Sequence, residues 1–315
     1  MKKIIFGACA LVSIAACNVN YEKTPSGLVY KIYPGKGGEK LQVGKLVKYN
    51  VDFVLTNRTG KKDTTLNAGP VKPGYIEVDT SKRYQYSFVE ILPKLSVGDS
   101  AVVVLSVDSL KKRNQIDPND TTLFVKGSTI QCRLKILKTF KDQTEAIADY
   151  QSEIDKENKN QIKAVEDYMT QKGIKGGVKT KSGAYVVLEN PGDQTQKADS
   201  GKVAFIKYKG YLQSNGEVFD TNQDSSKGHT DPISVNVGGQ PPVIPAWEEG
   251  LPYFGKGGSG KIFVPAFLGY GPQGSPPVIP PDANLVFDIQ VLDVQNPRPP
   301  SKQNTMPQSE HESAD

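Results

Sequence analysis

Two histidines, a pair of adjacent glutamates and a glycine-lysine run are the parts of this 315-residue chain that could carry conventional chemistry, and each fails on context. His229 lies in a polar stretch and His311 in a polar C-terminal one, so neither has the surroundings of a nucleophile triad or a zinc site. Glu248 and Glu249 are adjacent on an expected helix and point in different directions, which suits solvated charges better than a glycosidase-like acid pair. The run from Gly255 to Lys261 matches most of a phosphate-cradling loop, whose glycines expose N–H groups while a lysine neutralises charge. Ile262 then stands where a magnesium-binding Ser or Thr is required, and Ile262-Phe263-Val264-Pro265 reads as a strand, not as a helix N-terminus facing phosphate. No cofactor and no metal are expected.

What remains is apolar and aromatic. In order along the chain come Tyr208-Lys209-Gly210, Val218-Phe219-Asp220-Thr221, the segment Val243-Ile244-Pro245-Ala246-Trp247-Glu248-Glu249-Gly250-Leu251, Gly269-Tyr270-Gly271, and Ile279-Pro280-Pro281 leading to Leu285-Val286-Phe287-Asp288. Any one of these alone is weak. Together, in this order and spacing, they resemble the FKBP-type peptidyl-prolyl cis-trans isomerases. The resemblance implies an α+β domain, a bent antiparallel sheet wrapped on a short helix, with a shallow apolar pocket for a prolyl ring. It puts Trp247 at the pocket floor, with Tyr208, Phe219, Val243, Ile244 and Phe287 around it and Ile279, with Val278, in an overhanging loop. Tyr270 and the Ile244 N–H become donors to the bound peptide, and Asp220 sits at the edge. Asp220 also reads as an ordinary turn carboxylate.

Further implied are isomerase activity on X–Pro bonds, proline-containing polypeptide clients and binding of macrolide inhibitors. A non-catalytic holdase or peptide-binding module using the same pocket is the alternative. The chain departs from the family pattern at the rim: Ile233 replaces a frequent aromatic, Ser275 a frequent histidine, and the loop Asn222 to Pro232 is long. Substrate preference and macrolide affinity are the properties these departures touch.

The elements that must position these residues fall into two strand-rich stretches, about Leu28 to Phe140 and Ala184 to Val294, with β-branched and aromatic runs between turn residues. Between them, Gln143 to Lys172 has no Gly or Pro, many charges, and apolar residues at Ile147, Tyr150, Ile154, Ile162, Val165, Tyr168 and Met169, which predicts a helix with a thin apolar stripe. The expected architecture is two FKBP-like domains joined by this charged helix: a degenerate domain over 17–141, a helical linker over 142–176, the isomerase domain over 177–296 and a disordered tail over 297–315. The two halves look like diverged copies. Val47-Lys48-Tyr49 parallels Ile206-Lys207-Tyr208, Leu95 to Ser100 parallels Gly257 to Lys261, and Thr122 to Val125 parallels Asn284 to Phe287. The first half has no tryptophan, no Phe-Asp and no Ile-Pro-Pro, so a spacer, dimerisation or client-holding role is expected of it.

The N-terminus carries its own signal. Lys2 and Lys3 precede a short apolar run, and Ile14-Ala15-Ala16-Cys17 resembles a lipobox, which implies a signal peptide over 1–16 and acylation of Cys17. An ordinary signal peptide cut near Ala16, with Cys17 incidental, is the other reading. Once Cys9 is removed and Cys17 acylated, Cys132 is the single thiol left, and no intrachain disulfide can form. The expected location is the cell envelope, anchored by lipid to the outer membrane and facing the periplasm. A formal charge of +5 spread along the chain argues against nucleic acid as the partner.

Overall fold

Strict alternation of buried and half-exposed residues marks the strands. Val203–Leu212 (β11) turns Ala204, Ile206, Tyr208, Gly210 and Leu212 to one buried face, and Ser100–Ser106 (β6) does the same with Ala101, Val103 and Leu105. The computed structural model describes residues 21–56, 63–66, 72–225, 230–240 and 242–297. The expected signal peptide, Cys17, His229, His311 and the tail beyond Pro297 lie outside the described residues. Among the described residues no helix is long and apolar enough to cross a membrane.

The chain divides into two units between Gln151 and Ser152. Unit 1 contains β1 (Glu22–Lys23), β2 (Val29–Tyr33), β3 (Leu46–Thr56), β4 (Thr64–Thr65), β5 (Gly74–Glu77), β6, α1 (Val107–Lys112) and β7 (Thr129–Thr139). The helix α2 (Gln143–Gln171) begins here. Unit 2 holds β8 (Val178–Lys179), β9 (Tyr185–Asn190), β10 (Asp193–Lys197), β11, β12 (Val218–Thr221), β13 (Ile233–Asn236), α3 (Pro245–Gly250), β14 (Gly255–Lys256), β15 (Ser259–Val264) and β16 (Leu285–Gln295).

The sheet of unit 1 runs β1-β2-β6-β7-β3-β4 with β5 also on β3, and that of unit 2 runs β8-β9-β15-β16-β11-β12 with β13 also on β11, all antiparallel. The strand order is the same in both. The hydrogen bonds repeat as well: the Gly98 N–H donates to the Ile136 carbonyl and the Gly257 N–H to the Val291 carbonyl. The Ile136 and Val291 N–H groups donate in return to the Asp99 and Gly258 carbonyls. Even a fastening repeats, with Glu90 accepting from the Ser26 hydroxyl at 2.7 Å and Glu249 from the Ser182 hydroxyl at 2.5 Å.

This register corrects two of the sequence parallels. A bulge lies between Lys48 and Tyr49 in one ladder and between Phe205 and Ile206 in the other, so Tyr49 corresponds to Ile206 and Val51 to Tyr208. The error is a shift of two, which leaves every side chain on its own face and so leaves no trace in the alternation. Thr122 to Val125 is not a strand. Asp120 accepts the Thr122 and Leu123 N–H groups at 2.9 and 3.0 Å, which folds that stretch into a loop, and β7 starts later, at Thr129.

The first two turns of α2 belong to unit 1. Asp149 accepts from Lys48 Nζ and the Tyr75 hydroxyl, both at 2.6 Å, while Ile147 and Tyr150 stay exposed. Its C-terminal turns pack on unit 2, where Val165 and Met169 are buried with Phe263 and Val286. Leu285-Val286-Phe287 and Ile262-Phe263-Val264 are consequently buried without alternation, because both faces of the sheet are covered there. Trp247 is the single tryptophan of the chain and lies in the core of unit 2, so its fluorescence reports that unit alone. Met169→Ala should lower the stability of unit 2 by about 2–5 kcal/mol in urea unfolding followed through Trp247, whereas Ile147→Ala should change it by less than about 0.5 kcal/mol.

Candidate active site

The site is assembled on the inner face of the unit 2 sheet, where β11 and β16 run side by side. Tyr208 projects from β11 and Phe287 from β16, two rungs apart, and α3 lays Trp247 across them. The Trp247 ring meets Tyr208 at 5.3 Å and 76° and Phe287 at 5.2 Å and 79°, while Phe219 meets Phe287 at 5.7 Å and 81°. These edge-to-face contacts are the favoured geometry for aromatic quadrupoles. They leave a box of ring walls at right angles to one another.

The box depends on Gly210, which pairs with Phe287 across the ladder. A Cβ there would stand 2.6 Å from Phe219 Cζ and 2.8 Å from Phe287 Cε1. In unit 1 the same rung pairs Phe53 with Cys132, so bulk and space have changed strands. Phe53 and Tyr49 both pack on Phe88, at 6.4 and 5.3 Å.

Of the residues singled out from sequence, Tyr208, Trp247, Ile279 and Phe287 are buried in one cluster, and Phe219, Val243, Ile244 and Ile233 are half-buried against it. Val278 is exposed beside Ile279. Asp220 is exposed at the end of β12 and accepts the Tyr208 hydroxyl at 2.5 Å. Burial, then that hydrogen bond, pushes the Tyr208 phenol above its ordinary pKa; burial and then the Asp220 charge do the same to Tyr270. Both hydroxyls therefore remain protonated donors across the neutral range. Tyr270 is 39% exposed and its hydroxyl has no partner among the described residues. Ile244 is the N-cap of α3: its carbonyl accepts the Trp247 N–H at 2.9 Å, and its own N–H is unpaired among the described residues.

The glutamates of α3 are not merely solvated charges. Glu248 accepts the Gly238 N–H at 2.6 Å and Glu249 the Ser182 N–H at 2.9 Å, so the six-residue helix is tied on both sides to loops. The glycine-lysine run is β14, a two-residue turn at Gly257 and Gly258, with Gly257 at φ +78°, and the start of β15.

One residue had no signal in the sequence beyond opening a long loop. On its free side β11 pairs with β13 over Val203 to Ile206 and with β12 over Lys209 to Tyr211, which leaves a gap at Lys207 and Tyr208. Asn222, fully buried, fills it: Oδ1 accepts the Tyr208 N–H at 2.7 Å, Nδ2 donates to the Ile206 carbonyl at 3.1 Å, and its N–H donates to the Tyr208 carbonyl at 3.1 Å. A side-chain amide thus replaces a missing strand rung and fixes the backbone of Tyr208.

Comparison with known proteins bears on this arrangement. Residues 194–292 match the model of the FKBP-type peptidyl-prolyl cis-trans isomerase family. FK506-binding protein 1 of Candida glabrata is 36% identical over 122 residues, which span 38% of this chain and 96% of that protein. The chain belongs to the FKBP-type isomerases. The isomerase FkpA of Escherichia coli K12 is 39% identical over 141 residues, 44% of this chain and 47% of that protein. An FK506-binding protein of Neisseria meningitidis serogroup A is 37% identical over 100 residues, 31% of this chain and 85% of that one. The family match lies wholly within unit 2, which carries an FKBP-type peptidyl-prolyl cis-trans isomerase.

Gly210→Ala should force the Phe219 and Phe287 rings apart. Its isomerase kcat/KM is expected to fall by about tenfold or more, with a stability loss of about 1–3 kcal/mol read from Trp247 fluorescence.

Proposed function

We propose that this isomerase is a folding catalyst for exported proteins, working on X–Pro bonds in the aromatic box of unit 2 while an acylated Cys17 holds the chain to a membrane of the cell envelope. The observation that carries the site assignment is that two donors, the Ile244 N–H and the Tyr270 hydroxyl, stand unpaired among the described residues in the segments that border the box of Tyr208, Phe219, Trp247 and Phe287.

Rotation about an X–Pro bond is slow because amide resonance gives the C–N bond partial double-bond character, with a barrier of roughly 18–20 kcal/mol. No bond has to break, so neither a nucleophile nor a cofactor is called for. The catalyst must bind the twisted amide more tightly than the planar one. A prolyl ring seated on Trp247 between Tyr208, Phe219 and Phe287 meets apolar walls that exclude water and disfavour the more polar planar amide. The Ile244 N–H and Tyr270 hold the adjoining peptide in a turn by hydrogen bonds, and Val243 and Ile279 close the sides. Asp220 acts through Tyr208 by fixing its hydroxyl. An acceleration of four orders of magnitude corresponds to about 5 kcal/mol, a scale that ring packing and two hydrogen bonds can supply.

The repeated strand order supports reading unit 1 as a diverged copy of the same fold. With Phe53 on the rung where unit 2 has Gly210, its role is that of a spacer, a client-holding surface or a dimerisation element. The relatives' names support macrolides of the FK506 kind as ligands of the unit 2 pocket.

The cis-to-trans rate of a short X–Pro peptide tests the site. Trp247→Ala should abolish most acceleration and cost about 3–5 kcal/mol of stability, and Tyr270→Phe should reduce kcat/KM modestly in a fully folded protein. Undiminished turnover by both variants would remove the site assignment; an unaccelerated wild type would leave a peptide-holding module. For the anchor, cells fed labelled palmitate should label the wild-type protein and not Cys17→Ala, and label retained by the variant would defeat the assignment.

A further inference from the structure

The turn that presents Tyr270 is itself held from outside the family-matched segment. Ala266–Leu268 is a single 3-10 turn closed by the Leu268 N–H to the Pro265 carbonyl at 2.9 Å and the Gly269 N–H to the Ala266 carbonyl at 3.0 Å. The N–H groups that open such a turn, those of Ala266 and Phe267, have no acceptor within it. Ala266 donates to Asn284 Oδ1 at 2.9 Å, within the matched region. Phe267 donates to Gln161 Oε1, also at 2.9 Å, and Gln161 is on α2.

Gln161 is built for this contact. It is 8% exposed, a rare state for a glutamine on a charged helix. Its Nε2 donates to Glu157 Oε1 at 3.1 Å, one turn back, so the amide is oriented with its carbonyl left for the Phe267 N–H. One and two turns on, along the same face, Val165 and Met169 are packed on Phe263 and Val286 and fix the rotation of the helix about its axis. Phe267 and Tyr270 are separated by Leu268 and by Gly269, whose φ of −113° and ψ of −116° lie outside the helical and extended regions. With that backbone set at one end by Gln161, the direction in which Tyr270 leaves the turn is set too.

We propose that Gln161 is a positioning residue of the isomerase: through the Phe267 N–H it fixes the turn that aims Tyr270 at the substrate, and the C-terminal half of α2 is thereby part of the working enzyme. This rests on the reading of Tyr270 as a donor to the bound peptide. The role differs from general support of the fold in that its effect must pass through one hydroxyl.

A double-mutant cycle in the full chain tests it. Gln161→Met keeps the length and volume and removes the acceptor. It is expected to lower kcat/KM for an X–Pro peptide by no more than Tyr270→Phe itself does, roughly threefold, mainly through KM, with an unchanged Trp247 emission spectrum. On a Tyr270→Phe background the same substitution should cost less than twofold, because the group it positions is gone. Exchanging the pair, Glu157→Gln with Gln161→Glu, keeps an acceptor facing Phe267, a donor at 157 and the net charge, and is expected to recover activity to within about twofold of wild type. Lys159→Ala, exposed on the same helix, is the control and should change nothing. Equal losses from Gln161→Met on the two backgrounds, no loss at all, or a folded exchange variant that stays slow would each overturn the proposal. A Tyr270→Phe protein as fast as wild type would instead overturn the donor reading, and the proposal with it. If Gln161→Met does not fold, the exchange variant decides alone.

Discussion

A glycine facing a phenylalanine across one antiparallel rung is the constraint on which the site depends. Gly210 and Phe287 share a rung of β11 and β16, and the missing Cβ is the space into which the Phe219 and Phe287 rings close. The edge-to-face contact of Phe219 on Phe287 depends on that vacancy, because a Cβ there would press on both rings. Unit 1 keeps the same strand order and the same hydrogen bonds at Gly98 and Ile136, yet has Phe53 and Cys132 on this rung. The large side chain is now on β3 and the smaller Cys132 on β7, so the same strand order gives a sheet face filled by Phe53 against Phe88.

Around this apolar centre, three side-chain amides complete backbone hydrogen bonding where the secondary structure runs out. Asn222 bridges the gap between β12 and β13, Asn284 caps Ala266, and Gln161 caps Phe267. Each lies beside a segment that carries a site residue, Tyr208 in the first case and Tyr270 in the other two. A buried amide that satisfies a backbone N–H costs little net free energy but leaves the group beyond it one orientation, since an unpaired buried partner would cost about 1–3 kcal/mol. The backbone that carries Tyr208 and the turn before Tyr270 are thus fixed by polar side chains.

That Tyr208, Phe219, Trp247 and Phe287 gather in one cluster was legible because five short motifs in fixed order constrain one another, and the strands were legible from alternation. Helix α2 announced itself through its lack of Gly and Pro, and its bounds match the sequence pattern nearly to the residue. What sequence could not supply was register. A shift of two residues preserves the face of every side chain, so Tyr49 and Val51 are equivalent candidates for the place of Tyr208 until the bulge is seen. Thr122 to Val125 has the composition of a strand but folds as a loop, because the single carboxylate of Asp120 accepts three hydrogen bonds, from the Thr122 N–H and hydroxyl and the Leu123 N–H. Asn222, Glu248, Glu249 and Gln161 look like surface polar residues in one dimension. Their partners Tyr208, Gly238, Ser182 and Phe267 are between ten and 106 positions away, beyond the reach of any local pattern.

The rung made by Asn222 also separates two things that could have been tied together. Asn222 closes one end of the gap on β11 and Ile233 begins β13 at the other, and Asn222 Nδ2 also donates to the Asp231 carbonyl at 3.0 Å, so the ladder is anchored at both ends of the connection. The chain between these points can lengthen at a small entropic cost, about 0.6 kcal/mol for each doubling, and no strand pairing changes. The rim near that connection can therefore vary in sequence and length while the ring cluster of Tyr208, Trp247 and Phe287 is held by other contacts.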